Sequence, residues 1–184
     1  MLHLIPLHLI PAPLHRAGLR LAHGVRRRWW RIRAPRLAGC RIIALDADGR
    51  VLLIRHSYGS DTWMPPGGGL GRGEDALGAA VRELREETGC RLQGAHFVEL
   101  VQEELHGAGN HVHIVGGLTL GLPLADGREV IEAAFFAADA LPDALAPKLR
   151  AQLPLWITAV RAVHLRDAAQ APRSPQPRPP APKA

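Results

Sequence analysis

The stretch that decides the fold is Pro66–Cys90, which reads PGGGLGRGEDALGAAVRELREETGC. It opens on three consecutive glycines, Gly67, Gly68 and Gly69. Because glycine carries no side chain, this run predicts a loop whose backbone can approach a ligand closely. The loop leads into a predicted helix from about Asp75 to Thr88, and Glu74 or Asp75 supplies an acid that suits a helix N-terminus.

The predicted helix has one apolar face. At about 100° per residue, five of its residues fall on one side: Leu77, Ala80, Val81, Leu84 and Thr88. We expect this face to pack against the core. Three carboxylates share the arc beside it: Glu83, Glu86 and Glu87.

These three carboxylates repel one another. Like charges at such spacings cost roughly 0.2–0.5 kcal/mol per pair on an exposed helix, and more where the helix is partly buried. Two interpretations are open from the acids alone, a solvated acidic face or a site that holds a divalent cation. All-oxygen ligands favour Mg²⁺ or Mn²⁺ over zinc. The glycine loop at a short distance before the acids favours the cation site.

A known signature fits this stretch. Gly68 is followed by five residues, Glu74, seven residues and then RELREETGC over positions 82–90. This pattern resembles the Nudix box of the Nudix hydrolase family, with every fixed position filled and Cys90 where an aliphatic residue is usual. Residues 36–165 are similar to the domain of that family.

The resemblance implies a fold and an activity. The fold is a Nudix-type α/β/α sandwich with a mixed β-sheet, in which the box forms a loop, a helix and a loop. The activity is hydrolysis of a nucleoside diphosphate linked to another group, with a divalent cation, Mg²⁺ or Mn²⁺, as cofactor.

The resemblance also implies roles for single residues. Glu86 and Glu87 would ligate the metal together with the carbonyl of Gly67. Glu83 would be a metal ligand or the base, which makes it a catalytic candidate together with Glu86. Arg82 would orient a carboxylate, and Glu74 would have a structural role in the loop.

One further acid outside the box is expected to complete the site. Glu132, before an apolar run near the C-terminal end of the domain, is the first candidate and Glu129 the second. Glu103 and Glu104, at the end of a predicted strand, are weaker candidates. For each of these acids a simple exposed position stays an open alternative.

Substrate contacts are predicted from the segment that follows the first hairpin. Arg55, His56 and Tyr58 end this hairpin near the box. The backbone of Gly68 and Gly69 is expected to contact the substrate too.

The remaining pattern predicts alternating strands and one more helix. Residues 40–46 and 51–56 form a hairpin around an Asp-Gly turn. Further strands are predicted over 91–105, 111–120 and 130–137, and a helix over 146–165. Trp63 fits either packing or stacking on a base.

The net charge of +6 is unevenly distributed. Residues 1–35 carry +7, residues 36–165 carry −4, and residues 166–184 carry +3. An acidic body that binds phosphates needs a bridging cation, and the basicity gives no sign of a nucleic-acid groove within it. These shifts divide the chain into a basic N-terminal extension, a Nudix domain and a Pro/Ala-rich tail that is predicted to be disordered.

The basic extension contains an apolar stripe at helical spacing within residues 14–33. A basic amphipathic helix can lie on an anionic membrane or bind a partner. It can equally pack across the acidic body of its own domain, and this alternative is the more common one. Cys40 and Cys90 are far apart and form no zinc or disulfide pattern, which fits a cytoplasmic protein.

The sequence therefore predicts a Mg²⁺-dependent hydrolase that cleaves a diphosphate linkage in a nucleoside diphosphate derivative or a nucleoside triphosphate. The alternative is a catalytically silent Nudix domain that binds a nucleotide or docks a membrane or partner. Two subclasses are disfavoured, because no proline occurs between Arg91 and Leu122 and Tyr58 is the only tyrosine. These absences weigh against ADP-ribose and dinucleoside polyphosphate enzymes respectively, and the oligomeric state is left open.

Overall fold

The computed structural model describes residues 37–105 and 108–170, together with residues 11, 13–14, 16–19 and 21–22. Five strands and two helices follow one another in the two long ranges. They are β1 (Leu37–Leu45), β2 (Val51–His56), α1 (Ala76–Thr88), β3 (Arg91–Leu105), β4 (Ala108–Leu120), β5 (Val130–Phe136) and α2 (Pro147–Gln170).

The five strands form one mixed sheet in the order β3-β4-β1-β2-β5. β1 and β4 run parallel, with Leu37 opposite Asn110 and Leu45 opposite Leu118. The other neighbours are antiparallel. The hairpin predicted around the Asp-Gly turn is confirmed, and Gly49 has the positive φ of 74° that this turn requires.

Alternating residues of the strands build two cores, one on each face of the sheet. On one face, Ile43, Leu53 and Ile114 pack with residues of α2 such as Leu153 and Ile157. On the other face, Ile42, Leu52 and Val115 pack with Ala80 and Leu84 of α1. The sheet is thus covered on both sides, which confirms the predicted α/β/α sandwich.

The chain before α1 is built into the sheet. β1 and β2 pair only near their turn, at Leu45 and Val51. Beyond that point they separate, and the segment of residues 63–70 lies between them. Its Met64 exchanges two backbone hydrogen bonds with Ile54 of β2, at 2.8 and 3.0 Å.

The same segment pairs with β1 on its other side. The carbonyls of Pro66 and Gly68 accept hydrogen bonds from the β1 amides of Ile42, at 2.8 Å, and Cys40, at 2.9 Å. The glycine turn therefore has its backbone conformation fixed by the sheet.

The core-facing side of α1 differs from the prediction. Ala80, Leu84 and Thr88 are fully buried as expected. Leu77 and Val81, however, are 39% and 42% exposed, so their assignment to the core face is wrong.

The reason is a rotation of the helix toward its acidic side. Ala79 and Glu87 are buried in place of Leu77 and Val81. The small side chains of Ala79 and Ala80 let the helix lie close to the sheet, and this rotation turns Glu87 inward.

The structure also shows how Trp63 packs and where α2 ends. Trp63 packs edge-on against Phe136, with ring centroids 4.9 Å apart, and borders the α2 core. α2 continues to Gln170, five residues beyond its predicted end at residue 165, because the first helix breaker after it is Pro172. Residues 171–184 lie outside the described residues.

The N-terminal extension is described only in part. Residues 13–14, 16–19 and 21–22 are helical, whereas residues 15, 20 and 23–33 of the predicted amphipathic helix lie outside the described residues. Of the helices that the structure describes, none combines the length and apolarity that a membrane span requires.

Candidate functional site

The ends of α1 are defined by two capping residues. The carboxylate of Asp75 accepts a hydrogen bond from the Gly78 amide at 2.7 Å, which makes Asp75 the N-cap. Gly89 ends the helix in a left-handed conformation, with φ 71°. The helix therefore has a fixed register, and this register decides where its acids point.

The glycine turn lies against α1 and β1 so closely that side chains would not fit. A Cβ at Gly67 would overlap the Cys40 carbonyl, and one at Gly68 would overlap the Glu83 carboxylate. Around Gly69 there is open space. Gly67 is thus required by close approach of the β1 backbone, whereas a side chain at Gly68 would have to displace the Glu83 carboxylate that packs on the turn.

Arg82 joins three acids and the turn. Its Nε and Nη2 donate to the two oxygens of Glu74, both at 2.8 Å. Its Nη1 donates to Glu83 at 2.8 Å and to Glu86 at 3.3 Å, and Nη2 also donates to the Gly69 carbonyl at 3.2 Å. A planar guanidinium with several fixed donors is suited to hold carboxylates in a defined arrangement.

Glu74 braces the loop. The hydrogen bonds from Arg82 lower its pKa to about 2, and the Gly71 amide, which donates at 2.8 Å, contributes to the shift. Glu74 is therefore ionised across the physiological range. Its contacts agree with the structural role that the family resemblance implies.

Glu87 is the most buried acid of the site, with 9% of its surface exposed. Its Oε2 accepts a hydrogen bond from the Gly67 amide at 2.9 Å, and Oε1 lies 3.5 Å from Nε2 of His56. Burial raises its pKa to about 8 despite the Gly67 hydrogen bond, and the charges of Glu83, Glu129 and Glu86 contribute. Because burial disfavours the negative charge of this carboxylate, the carboxylate is suited to bind a cation.

Glu83 is half-buried between the glycine turn and Arg82. Burial raises its pKa, the hydrogen bond and charge of Arg82 oppose this, and the charges of Glu86 and Glu129 raise it further. A carboxylate with a raised pKa can accept a proton more readily at neutral pH.

Glu129 reaches this cluster from another part of the chain. It precedes β5, and its carboxylate accepts a hydrogen bond from the Tyr58 hydroxyl at 2.7 Å. Its charge acts on both Glu83 and Glu87. The second candidate for the outside acid thus lies within electrostatic reach of the α1 carboxylates.

Glu132, the first candidate, has a different environment. It lies opposite Arg55 in the β2–β5 pairing, its carboxylate is 3.4 Å from Nη1 of Arg55, and its side chain is 48% exposed. Arg55 also donates to Asp61 at 2.5 Å.

The weaker candidates lie at the end of β3. Glu103 binds Arg41 at 3.1 Å, and Glu104 is exposed.

A groove of about 370 Å³ opens beside the site, between the segment after β2 and the start of β5. It is lined by His56, Ser57, Tyr58, Gly59, Ser60, Asp61 and Ile131. The rings of His56 and Tyr58 stack in its wall, with centroids 5.0 Å apart. Two of the five predicted substrate residues, His56 and Tyr58, thus line a cavity. A second cavity of about 240 Å³ lies between α2 and the sheet, beside His96 and His164.

The donors present fit a hard divalent cation by their chemistry. Within residues 37–105 and 108–170 and the described part of the extension, no three His, Cys, Asp or Glu side chains lie together in an arrangement that could hold a metal ion. Glu83 and Glu86 turn to Arg82 instead, and Glu87 turns to the Gly67 amide. All these donors are oxygens. Burial raises the pKa values of Glu83 and Glu87, the charges of the neighbouring acids contribute, and a bound cation would offset both effects.

Some features of the site were missed in the sequence. Tyr58 was predicted to contact substrate, but the structure also gives it a bond to Glu129. The Asp126-Gly127 pair before Glu129 is a turn signal that could have favoured Glu129 over Glu132. No signal in the sequence indicates that Arg16 donates hydrogen bonds from Nε and Nη2 to the Gly127 carbonyl of this turn.

The fold and the site together define a sandwich-type hydrolase scaffold with an acidic loop–helix centre. The NUDIX domain family matches residues 35–157, more than half of the chain. The chain belongs to the Nudix family, which as a class uses divalent metals.

Relatives agree with this assignment. The chain is 30% identical over 115 residues to a putative 8-oxo-dGTP diphosphatase of Bacillus subtilis, covering 62% of this chain and 76% of that protein. It is 39% identical over 61 residues to an RNA pyrophosphohydrolase of Teredinibacter turnerae, a match that covers 33% of this chain and 36% of that protein. The chain thus spans about a third of the length of the latter relative.

Solved structures share the fold. The MutT NUDIX hydrolase of Burkholderia pseudomallei is 26% identical, with a TM-score of 0.58, and the match covers 68% of this chain and 98% of that one. The E. coli ORF135 protein is 30% identical, with a TM-score of 0.54, and the match covers 74% and 95%.

Proposed function

We propose that this protein is a Mg²⁺-dependent pyrophosphohydrolase that cleaves a diphosphate linkage in a nucleoside triphosphate or a nucleoside diphosphate derivative. The observation that carries the proposal is the buried Glu87 carboxylate, which Glu83 and Glu86 surround with further negative charge. The relatives, a putative 8-oxo-dGTP diphosphatase and an RNA pyrophosphohydrolase, support the same reaction class.

The proposed metal ligands are the carboxylates of Glu86 and Glu87 and the carbonyl of Gly67, and Glu83 is proposed as the base beside them. Glu129 is proposed as the outside acid in preference to Glu132, because its charge acts on Glu83 and Glu87. Mg²⁺ or Mn²⁺ bound there would neutralise charge on the diphosphate and make the attacking water more acidic.

The residues of the chain supply the remaining steps. Glu83, whose pKa burial raises, accepts the proton of the attacking water. Arg82 holds Glu83 and Glu86 in place through its shared donors. The glycine turn leaves room for the diphosphate because Gly69 faces open space.

The nucleoside part is proposed to occupy the groove beside Tyr58. The stacked rings of His56 and Tyr58 offer an aromatic wall for a base. The cysteines Cys40 and Cys90 are free and buried, which supports action in a reducing cytoplasm.

The test is release of phosphate or pyrophosphate from a panel of nucleotides with Mg²⁺. The panel contains dGTP, 8-oxo-dGTP, a nucleotide sugar and a 5′-triphosphorylated RNA. Glu86→Gln should lower kcat by at least about 100-fold on the best substrate, which is the order of effect for removal of a charge-stabilising group. Glu104→Gln, an exposed acid at the end of β3, is the matched control and should retain wild-type activity.

If wild type and Glu86→Gln act alike on every substrate, the enzyme proposal fails. The silent binding domain is then the better interpretation of the family fold.

A further inference from the structure

We propose that Arg16, from the segment before the matched Nudix domain, is a positioning residue for Glu129. The inference rests on the proposed function, because the orientation of Glu129 matters only if its carboxylate serves the acidic site.

The contact that carries the inference is specific. Nε and Nη2 of Arg16 both donate to the carbonyl of Gly127, at 2.7 and 2.5 Å. The two residues are 111 positions apart in the chain. Gly127 has φ 68°, in the left-handed region that favours glycine. Two donors on one acceptor fix the direction of the Gly127 carbonyl.

Gly127 belongs to a tight turn that ends in Glu129. The carboxylate of Asp126 accepts hydrogen bonds from the amides of Arg128, Glu129 and Val130, at 2.8, 3.0 and 3.1 Å. The Gly127 amide donates to the Val130 carbonyl at 2.9 Å. Because these hydrogen bonds close the turn, the position of Gly127 also determines the position of the Glu129 backbone.

Glu129 is held from the opposite side as well. Its carbonyl accepts a hydrogen bond from the Ser57 amide at 2.8 Å, and its carboxylate accepts one from the Tyr58 hydroxyl at 2.7 Å. The turn side and the groove side therefore fix the carboxylate jointly. Arg16 is the part of this support that the N-terminal extension provides.

The experiment measures Mn²⁺ affinity of the metal-free full-length protein by titration calorimetry. We expect Arg16→Ala to weaken Mn²⁺ binding about three- to tenfold, the effect of losing a hydrogen-bonded support. Loss of a positive charge alone would tighten cation binding, so a weaker affinity reports positioning. Arg16→Lys, which keeps the charge and one donor, should recover most of the affinity.

A matched control exists at the other end of the domain. Arg161 donates from Nη2 to the carbonyl of Gly49 at 2.6 Å, and Gly49 also has a positive φ. Arg161→Ala removes the same type of contact from the β1–β2 turn. It should leave Mn²⁺ affinity and nucleotide hydrolysis at the wild-type level.

A double mutant ties the effect to Glu129. In the Glu129→Gln background, Arg16→Ala should change Mn²⁺ affinity by less than about twofold, because the residue to be positioned has lost its charge. An equal loss in both backgrounds would overturn the inference.

Two results separate this inference from the proposed function. Wild-type protein that binds Mn²⁺ and hydrolyses nucleotide, with Arg16→Ala unchanged in affinity, overturns the role of Arg16 alone. Wild-type protein that neither binds Mn²⁺ nor hydrolyses any nucleotide overturns the proposed function, and the role of Arg16 with it.

Discussion

The Glu83 carboxylate packs directly on the backbone of Gly68, with no room for a side chain between them. The first residue of the Nudix box is therefore glycine for a steric reason, and this contact positions the carboxylate that is proposed as the catalytic base. Glu83 has two other supports, the hydrogen bond from Arg82 and the register of α1.

The first prediction tests this contact. Gly68→Ala should displace the Glu83 carboxylate and lower kcat about 100-fold, which is the order of loss expected for a displacement of about 1 Å. Gly109→Ala, in β4 and outside the proposed site, is the control, because a Cβ there meets open space. Both variants are assayed by phosphate release, and their folding is checked by circular dichroism. Equal activity of the two alanine variants would contradict the prediction.

The second prediction concerns the core face of α1. Leu84 is fully buried, so Leu84→Ala should lower the free energy of unfolding by about 2–5 kcal/mol. Leu77→Ala, at a position 39% exposed, should cost less than about 1 kcal/mol. Urea denaturation of the two variants measures the difference. Similar losses at both positions would contradict this prediction and would support the wider core face that the helical pattern predicted.

The third prediction is a pH dependence of stability caused by Glu87. Its pKa is about 8 in the folded protein against the ordinary 4.5. Between these values the folded state holds more protons than the unfolded state, so the free energy of unfolding falls as pH rises. One such group contributes a slope of at most about 1.4 kcal/mol per pH unit.

Urea denaturation of the metal-free protein at pH 5, 6, 7 and 8 measures this slope. Glu87→Gln removes the titrating group and keeps an acceptor for the Gly67 amide. Relative to wild type it should gain stability as pH rises through this window. A difference between the two proteins that does not change with pH would speak against a raised pKa of Glu87.

The fourth prediction concerns Arg82. Lysine keeps the charge but lacks the planar set of donors that reaches Glu74, Glu83 and Glu86 together. Arg82→Lys should therefore lower kcat about 10- to 100-fold, the effect of losing a hydrogen bond between charged groups. Arg85→Lys, on the exposed side of the same helix, should stay within about twofold of wild type.

The strands and the acidic helix could be predicted because their signals are local, whereas the α/β/α sandwich was expected from the resemblance to the Nudix family. Alternating apolar residues indicated the strands, and the spacing of glycines, Glu74 and the α1 acids indicated the loop and helix. The rotation of α1 could not be predicted in this way. It follows from the packing of Ala79 and Ala80 on the sheet, which a helical wheel does not include.

The choice of the acid outside the Nudix box is a second feature that could not be predicted from the sequence. From the sequence, Glu132 ranked first and Glu129 second, although the two acids are only three residues apart near the same strand. The structure separates them through long-range contacts, with Tyr58 for Glu129 and Arg55 for Glu132. Contacts between residues about 70 positions apart leave no periodic pattern in a single sequence.

The insertion of residues 63–70 between β1 and β2 has a consequence for cooperativity. Because the Cys40 and Ile42 amides bond to the carbonyls of Gly68 and Pro66, the glycine turn cannot melt without opening the middle of the sheet. Those two amides should then exchange with solvent only through global unfolding. The backbone that is proposed to face the ligand is thus ordered when the domain folds. Substrate binding therefore carries no further entropy cost for ordering it.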